Sequence, residues 1–304
     1  MNVHPQPTKA ELSQGIAALV TAMLFLPSLD AIAKGLAGEV SPGQIAWTRL
    51  FLQSVFLLPF VAFNGAFRIT HIWKHAARGF LIAMATVLFF SAVMVMPLAD
   101  AISIFLIGPL LLTIFSAIFL GEPIGWRRVL AVLFGFSGAM LIIQPSYENF
   151  GLVALLPVGT AISFAFYMVL TRGMARDGHA GSAVAMQFYA GVFGALTMSV
   201  ALSFGLFAEL PSVTLGWPAT WAWGMLLLLG LIATMGHLLI VYAARRIDGS
   251  LIAPFQYLEI VSATTLGYFF FNDFPAPMTW LGVAIIVSSG LYIYFRERQL
   301  AVQA

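Results

Sequence analysis

The chain has very little charge for its length. Of its 304 residues, 9% are Asp, Glu, Lys or Arg and 61% are hydrophobic, whereas charged residues make up about 25% of a soluble globular domain. Such a chain does not have enough polar side chains to cover the surface of a soluble protein. The composition therefore argues strongly against a soluble enzyme.

The chain also lacks cysteine altogether, which excludes disulfides, thiol chemistry and cysteine-based metal sites. Its formal net charge of +2 is small, and the basic residues are spread thinly rather than clustered on one face. We therefore expect no nucleic-acid partner.

The residue patterns of membrane-embedded enzymes are missing as well. The sequence contains no H-E-x-x-H helix, no paired aspartates of the kind that hold magnesium, and no Gly-Ser arrangement with a histidine. His71 and His75 have the spacing of a metal-binding pair, but they fall in a basic segment without further ligands, and a solvated loop is the expectation there. We expect no enzymatic activity, no metal and no cofactor.

What the sequence has instead is long apolar runs. A helix that crosses a bilayer needs about 20 mostly apolar residues, and ten such runs are present. They cover residues 15–36, 42–63, 79–97, 100–120, 126–144, 151–171, 183–205, 221–243, 250–271 and 278–295. In this assignment Pro97 and Asp100 mark the turn between the third and fourth runs. The prediction is an all-α integral membrane protein with ten transmembrane helices.

The basic residues support this count, because cytoplasmic loops collect Lys and Arg. With the N-terminus inside, twelve of the 14 Lys and Arg fall in inner segments. They are Lys9, Arg68, Lys74, Arg78, Arg127, Arg128, Arg172, Arg176, Arg245, Arg246, Arg296 and Arg298. The outer loops would hold Glu39, Asp100, Glu148, Glu209 and Asp273. This predicts a multi-pass protein of the cell inner membrane with both termini cytoplasmic.

The polar start "MNVHPQPTKAELSQG" has one lysine, and the apolar run behind it shows no A-x-A-like cleavage site. We therefore expect a retained helix rather than a signal peptide. Residues 1–14 and 299–304 are predicted to be cytoplasmic tails.

The two halves of the chain repeat an order of features. The segment "IFLIGPLLLTIFSAIFLGEPIGWRRVLAVLFGFSGAMLI" has a proline, an apolar run, an acidic turn at Glu122 and a glycine-dotted helix. The segment "LIAPFQYLEIVSATTLGYFFFNDFPAPMTWLGVAIIVSSGLYI" repeats this order around Asp273. Because five spans is an odd number, the second half would insert upside down. We predict two inverted five-helix repeats, residues 15–146 and 147–298, around a central cavity.

In their order and spacing, these features resemble the ten-helix EamA-type branch of the drug/metabolite transporter superfamily. The resemblance rests on "DAIAK" ending at Lys34, "QIAWTRLFLQS" with Arg49, "FLGEP" ending at Pro123, and the half-repeat after Leu251. It implies two inverted repeats that work by alternating access. It further implies export of small metabolites, with aromatic or other neutral amino acids and related amphiphilic compounds as the expected substrates. We expect a monomer, with a dimer as the alternative, in contact with the lipid bilayer.

Two charges and a proline stand out in the first apolar run, where Pro27 predicts a bend. Asp30 and Lys34 are four residues apart, so they share a helix face and can pair along it. An ionisable group within a span is a functional hypothesis by default. Lys34 has an alternative role, because a long side chain near the outer end can extend to the membrane surface. Asp30 lies deeper, and its short side chain has no such route, so we expect it to line the cavity.

Arg49 and Glu259 are the other deeply placed charges. We expect Arg49 to pair with Asp30 or Glu259, since an unpaired buried charge is costly. The pair would be structural or would contact substrate. Glu259 falls near the midplane, where burial and a nearby cation have opposite effects on a carboxyl group. Glu259 and Asp30 are thus predicted as sites of proton coupling, with a structural or ammonium-binding role as the alternative for Glu259.

Further polar and aromatic side chains complete the predicted cavity lining. For each of them interhelical packing is the alternative. They are Trp47, Tyr167, Gln187, His237, Gln256 and Tyr257.

A lipid or lipid-headgroup flippase or scramblase is the main competing function, because a side-open cavity with one charge pair also suits a headgroup. A channel is less compatible with a closed ten-helix bundle in two halves.

Overall fold

The computed structural model describes residues 9–63, 67, 69–122, 124–177, 182–244 and 255–303. We number twelve α-helices within these ranges. They are α1 Lys9–Phe25, α2 Pro27–Gly35, α3 Pro42–Phe63, α4 Ile72–Val93, α5 Leu98–Phe105, α6 Gly108–Leu120, α7 Trp126–Phe150, α8 Leu156–Arg176, α9 Ala183–Ala208, α10 Thr220–Ala244, α11 Glu259–Phe271 and α12 Pro277–Gln303. Two short 3₁₀ segments, Gly151–Leu155 and Pro211–Val213, lie between helices.

The helices have the length and surface of membrane spans. Eight helical stretches in the described residues are long and apolar enough to cross a bilayer. Large apolar side chains also face outward, and Phe63, Phe207 and Trp217 are each about 90% exposed. A soluble protein rarely exposes so much contiguous apolar surface. The predicted all-α membrane architecture is thus the observed one.

The predicted count of ten spans stays a prediction. One of the eight stretches, residues 126–176, contains both α7 and α8. Arg176, at the end of α8, donates a hydrogen bond to the carbonyl oxygen of Leu120 (3.0 Å), just before α7 starts. The chain therefore leaves along α7 and returns along α8. In the predicted ninth span, residues 250–254 lie outside the described part of the chain.

The connections between helices gather at two opposite ends of the bundle. At one end, Ser41 donates to the carbonyl oxygen of Thr214 (2.6 Å), and Lys34 contacts both Met96 and Asp273. We call this the Lys34 end. At the other end, Lys74 pairs with Asp177, and Arg176 reaches Leu120. We call this the Arg172 end, after an arginine of α8 that lies there.

Three long apolar segments are interrupted by a turn. The helix break at Leu26–Pro27 separates α1 from α2, as the bend predicted from Pro27 requires, because proline lacks an N–H and clashes with the preceding turn. A second break, at Leu106 and Ile107, separates α5 from α6, and Pro109 lies just after it. Tyr257 and Leu258 form a third turn directly before α11. The second and third breaks were not predicted.

The second and third breaks are each followed by a helix of the same length. Helices α6 and α11 each have 13 residues, and each ends at a left-handed residue, Gly121 (φ 68°) and Asn272 (φ 56°) respectively. The partners of other helices also correspond. Helix α4 packs on α8 and α9, whereas α10 packs on α1 and α3. Helices α3 and α9 pack on each other, as do α7 and α12.

Glycine permits the close packing of α7 on α12. A Cβ atom placed on Gly138 would lie 2.8 Å from the carbonyl oxygen of Gly282, and one on Gly282 would lie 2.5 Å from the carbonyl oxygen of Gly138. These distances are shorter than real Cβ contacts, so only glycine fits at either position. Small residues allow helix backbones to approach in this way within membranes.

Several sequence-based boundaries are wrong. Asp100 and Glu148, assigned to outer loops, lie in α5 and α7. His75 and Arg78, assigned to an inner segment, lie in α4, which begins at Ile72 rather than near 79, and both side chains are buried. The error arose because a basic first turn resembles a loop in composition. Other residues used in the predictions lie outside the described ranges: Arg68, Pro123, Arg245, Arg246, Leu251 and residues 1–8.

The predicted C-terminal tail begins inside a helix, since α12 continues through Gln303.

Candidate transport cavity

A central cavity of about 160 Å³ lies among α1, α2, α3, α4, α5, α8, α10 and the turn before α11. Five of the ten predicted site residues line it: Asp30, Arg49, His237, Gln256 and Glu259. Most of the remaining wall is apolar, and it includes the rings of Phe89, Phe90, Phe105 and Phe164. The cavity combines a few polar groups with an apolar wall, as binding sites for small molecules do.

Asp30 and Glu259 enter the cavity from two helices that start at breaks. Asp30 is in the first turn of α2, and Glu259 is the first residue of α11. A negative charge is favoured at these positions because the unpaired N–H groups of a helix N-terminus carry partial positive charge. Neither carboxylate forms a hydrogen bond or an ion pair with any described residue.

Arg49 does not form the ion pair predicted for it. Its Nη1 donates to Thr86 Oγ1 at 2.5 Å, and its Nε is buried without a hydrogen-bond partner among the described residues. No carboxylate oxygen of Asp30 or Glu259 lies within 4.0 Å of the guanidinium, although Asp30 is near enough for the two charges to interact through space. The prediction failed because the contact between Arg49 and Thr86 depends on how two helices pack, which no local pattern of residues indicates.

One ring nitrogen of His237 is hydrogen-bonded to the backbone. Its Nδ1 lies 2.7 Å from the carbonyl oxygen of Ala233, one turn earlier in α10. A carbonyl oxygen only accepts hydrogen bonds, so Nδ1 carries a hydrogen. In the neutral ring Nε2 is then an acceptor. The polar wall of the cavity is therefore rich in acceptors, and Arg49 is its fixed positive charge.

A second compartment of about 220 Å³ adjoins the central cavity. Both are lined by Phe105, Phe164, Gln256 and Glu259, and the second extends along α6 and α8 as far as Arg172. Arg172 donates to Ser116 Oγ at 3.3 Å across these two helices. The cavity therefore continues from Glu259 toward the Arg172 end.

At the opposite end, charged contacts hold three elements together. Lys34 forms an ion pair with Asp273 (2.7 Å) and donates to the carbonyl oxygen of Met96 (2.8 Å). It also lies 5.3 Å from the ring centroid of Phe271. Nearby, Thr279 donates to the buried Asp100 (2.8 Å). The predicted pairing of Lys34 with Asp30 is thus wrong, because Lys34 turns away from the cavity to the loop before α12.

Four other predicted lining residues lie away from the central cavity. Trp47 stacks on Phe51 and donates to Ser199 Oγ at 2.8 Å. Tyr257 packs against Gly290 of α12. Tyr167 receives a hydrogen bond from Arg78 (3.0 Å) and donates one to Gln187 (3.3 Å).

Sequence reasoning missed the role of Arg78. This side chain is 1% exposed and donates to Thr171 Oγ1, the carbonyl oxygen of Met186 and Tyr167 Oη. It thereby joins α4, α8 and α9. Its position one helical turn beyond Lys74 was the available indication. Because α4 begins at Ile72, this position lies inside the helix.

The described residues contain no group of three His, Asp or Glu side chains placed to hold a metal ion. The arrangement is a binding cavity with opposed charges.

The model of the EamA-like transporter family matches residues 13–144 and again residues 151–295. The chain belongs to the EamA-like transporter family. This EamA-like protein is therefore a membrane transporter and not an enzyme, and the resemblance found in the sequence motifs is confirmed.

Relatives of this EamA-like protein carry different substrates. It is 27% identical over 291 residues to an S-adenosylmethionine uptake transporter of Rickettsia bellii, covering 94% of this chain and 95% of the relative. It is 29% identical over 245 residues to a riboflavin transporter of Rhizobium johnstonii, covering 80% and 78%. It is 25% identical over 288 residues to a pseudopaline exporter of Pseudomonas aeruginosa, covering 91% and 94%.

A solved crystal structure shares the fold. It superposes with a TM-score of 0.62 at 21% identity and covers 92% of this chain and 96% of its own.

Proposed function

We propose that this EamA-like transporter moves small metabolites by alternating access through the central cavity, between two inverted five-helix repeats. The proposed repeats are residues 15–146 and 147–298. The observation that carries the proposal is a cavity near mid-bundle with two carboxylates and an arginine that no described residue neutralises through direct contact. Polar groups of this kind within a membrane are expensive and mark substrate or ion routes.

The packing supports two related halves. If α4 corresponds to α10, then its contacts with α8 and α9 become the contacts of α10 with α1 and α3. In the same correspondence α3 exchanges with α9, and α7 exchanges with α12. Each of these two packed pairs therefore maps onto itself. The family model also matches twice, once on each side of Gly151. Inverted repeats are a common basis of alternating access in secondary transporters.

The cavity is open toward one end of the bundle and closed at the other. The second compartment extends to the Arg172 end, whereas the Lys34–Asp273 ion pair holds the Lys34 end together. Basic residues concentrate toward the Arg172 end, as cytoplasmic segments do. The structure thus corresponds in our proposal to an inward-facing state, in the inner membrane, with both termini cytoplasmic.

For the substrate, we propose amino acids or related amphiphilic compounds, moved outward. Arg49 offers a site for a carboxylate, and Asp30 and Glu259 offer sites for an ammonium. The pseudopaline exporter is a relative that works outward, while the Rickettsia bellii relative works inward.

We also propose that Glu259 or Asp30 carries a proton during transport, since both carboxyl groups line the cavity without a direct protein partner in the described residues. At least one of the variants Glu259→Gln and Asp30→Asn would no longer accumulate substrate in response to a pH gradient, although it would still exchange it. Asp177→Asn, which removes an acid at the Arg172 end, is the matched control. Normal accumulation by both single variants, Glu259→Gln and Asp30→Asn, would contradict this coupling.

Counterflow in proteoliposomes tests the transport proposal. Purified protein is reconstituted with unlabelled compound inside, and labelled amino acids, riboflavin or S-adenosylmethionine are added outside. Transport of metabolites predicts transient accumulation of at least one of them. In parallel vesicles, fluorescent phospholipid is followed by quenching at the outer leaflet. Lipid movement without any metabolite counterflow would establish the flippase alternative and overturn the proposal.

A further inference from the structure

The central cavity has an imbalance of charge. Its wall includes two carboxylic acids, Asp30 and Glu259, and one permanently charged base, Arg49. His237 adds no fixed charge, because only one of its ring nitrogens must carry a hydrogen. Lys34, the nearest other cation on the same helix as Asp30, is bound to Asp273 and Met96 outside the cavity. A bound substrate therefore meets two carboxyl groups and one guanidinium.

No described residue balances these groups through a direct ion pair. Asp30 and Glu259 interact with each other through space, and Arg49 interacts with Asp30, but no direct ion pair forms among the three. Arg49 also keeps Nε buried and without a partner. Burying uncompensated charge is costly, so the loaded cavity is most stable when the substrate supplies the missing partners. One ammonium would neutralise one carboxylate, and the other carboxyl group would then hold a proton or a second positive group.

The rest of the wall is mainly apolar and includes several aromatic rings. Phe89, Phe105 and Phe164 form a chain of rings with centroids 5.7 and 5.6 Å apart, and the last two also line the second compartment. The two compartments together reach the lower end of the ligand-pocket range of about 300–1,000 Å³. Aromatic faces also attract cations. The available volume suits an elongated molecule that spans both compartments and exceeds a simple amino acid in size.

We propose that the substrate of this cavity carries two positively charged groups and one carboxylate on a body with a flat aromatic ring. This inference rests on the proposed function. In it Asp30 and Glu259 each neutralise one positive group, and Arg49 binds the carboxylate. The phenylalanine rings cover the aromatic part.

A matched pair of probes isolates the second positive charge. S-adenosylmethionine has an ammonium, a sulfonium, a carboxylate and an adenine ring, whereas S-adenosylhomocysteine lacks the sulfonium methyl and its charge. Binding of both to purified protein in detergent would be measured by titration calorimetry. The inference predicts that S-adenosylmethionine binds at least about tenfold more tightly, the effect of losing one partner of a modest charge pair.

Variants then assign that preference to the carboxylates. Asp30→Asn and Glu259→Gln should each weaken S-adenosylmethionine binding, and in at least one of them the preference over S-adenosylhomocysteine should fall to near unity. Asp177→Asn should leave it unchanged. A retained melting temperature in the two cavity variants separates lost binding from misfolding.

The outcomes distinguish this inference from the function on which it rests. Equal binding of the two probes, tighter binding of riboflavin or tryptophan, or no binding of S-adenosylmethionine would overturn the two-cation inference. Counterflow of any of these compounds would meanwhile uphold transport. Preferential binding of S-adenosylmethionine without counterflow of any probe would uphold the charge inference and contradict the proposed function.

Discussion

At the scale of single residues, Arg78 is the side chain with the most consequential contacts outside the cavity. It is a buried cation, and its hydrogen-bond partners are a threonine, a tyrosine and a backbone carbonyl oxygen on two other helices. Its guanidinium also lies 4.8 Å from the ring centroid of Tyr167. The arginine is therefore satisfied by dipoles and a ring face in place of a carboxylate.

Replacing this arginine should destabilise the protein. Arg78→Met removes three hydrogen bonds and leaves their acceptors buried, and hydrogen bonds to charged groups contribute about 1.5–3 kcal/mol each. Methionine also removes the cost of burying a charge, so the free energy of unfolding should fall by less than the sum of the three bonds, about 3 kcal/mol. This would be seen as a lower midpoint of thermal unfolding in detergent. Lys74→Met, one turn earlier, breaks a partly exposed pair with Asp177. It should cost less than about 1 kcal/mol. Similar losses for both variants would refute this role.

The guanidinium of Arg49 should be needed for a normal rate of transport. A lysine keeps the positive charge but does not reproduce a planar guanidinium that bonds Thr86 and still offers further donors. Arg49→Lys should lower the initial rate of counterflow by about tenfold or more, the effect of about 1.4 kcal/mol, at an unchanged melting temperature. Thr86→Val keeps the guanidinium but removes its hydrogen bond at 2.5 Å, together with the hydrogen bond that Thr86 Oγ1 donates to the carbonyl oxygen of Ile82. It should have the smaller effect. A fully active Arg49→Lys would show that the arginine is structural.

At the scale of helices, the Lys34–Asp273 pair is placed to control one end of the cavity. It joins α2 to the residues between α11 and α12. Because the chain has no native cysteine, a single cysteine reports access without a background. In a Leu29→Cys protein, whose label site lines the cavity, adding Lys34→Met should increase labelling by an impermeant maleimide applied from the Lys34 side.

The surface pair at the opposite end supplies the control for this experiment. Lys74→Met also removes a lysine from an ion pair, but it lies at the Arg172 end and should not change labelling from the Lys34 side. Equal labelling with and without Lys34→Met would show that this ion pair does not hold the end closed.

Two glycines give a matched test of helix packing. Gly138→Ala places a methyl group against the carbonyl oxygen of Gly282, whereas a Cβ atom on Gly224 meets nothing within 4 Å. Alanine favours helix by about 1 kcal/mol over glycine, so Gly224→Ala should raise the melting temperature slightly. Gly138→Ala should lower it. A stabilising Gly138→Ala would refute the close approach of α7 and α12.

The helices also differ in how far they could be predicted from the sequence. Apolar length located nearly every helix, and Pro27 located the first break, because both effects are local. The ends of α4 and α5 were misplaced because basic or acidic residues in a first helical turn resemble a loop. The break before Glu259 has no proline at the turn itself, so nothing local indicated it. Asp30 and Glu259 were found because charge within an apolar run is conspicuous. The partners of Arg49 and Lys34, Thr86 and Asp273, depend on how distant helices pack.

At the scale of the whole molecule, the orientation in the membrane is open to a direct test. We predict that both termini are cytoplasmic and that the Arg172 end faces the same side. Green fluorescent protein fused after residue 304 should fluoresce, and alkaline phosphatase fused there should be inactive, because the first reporter folds inside and the second outside. Fusions after Thr214, at the Lys34 end, should give the reverse. The same pattern at both sites would contradict the topology.

The central claim is that the transported substrate occupies the cavity lined by Asp30, Arg49 and Glu259. Its most direct test is protection of a single cysteine at Ile240, which lines the same cavity, in the otherwise cysteine-free chain. A compound that shows counterflow should slow maleimide labelling of Ile240→Cys in proportion to its occupancy. Labelling of Ser182→Cys, at the exposed start of α9, should not change. A transported compound that leaves the labelling rate of Ile240→Cys unaltered at saturating concentration would contradict the account.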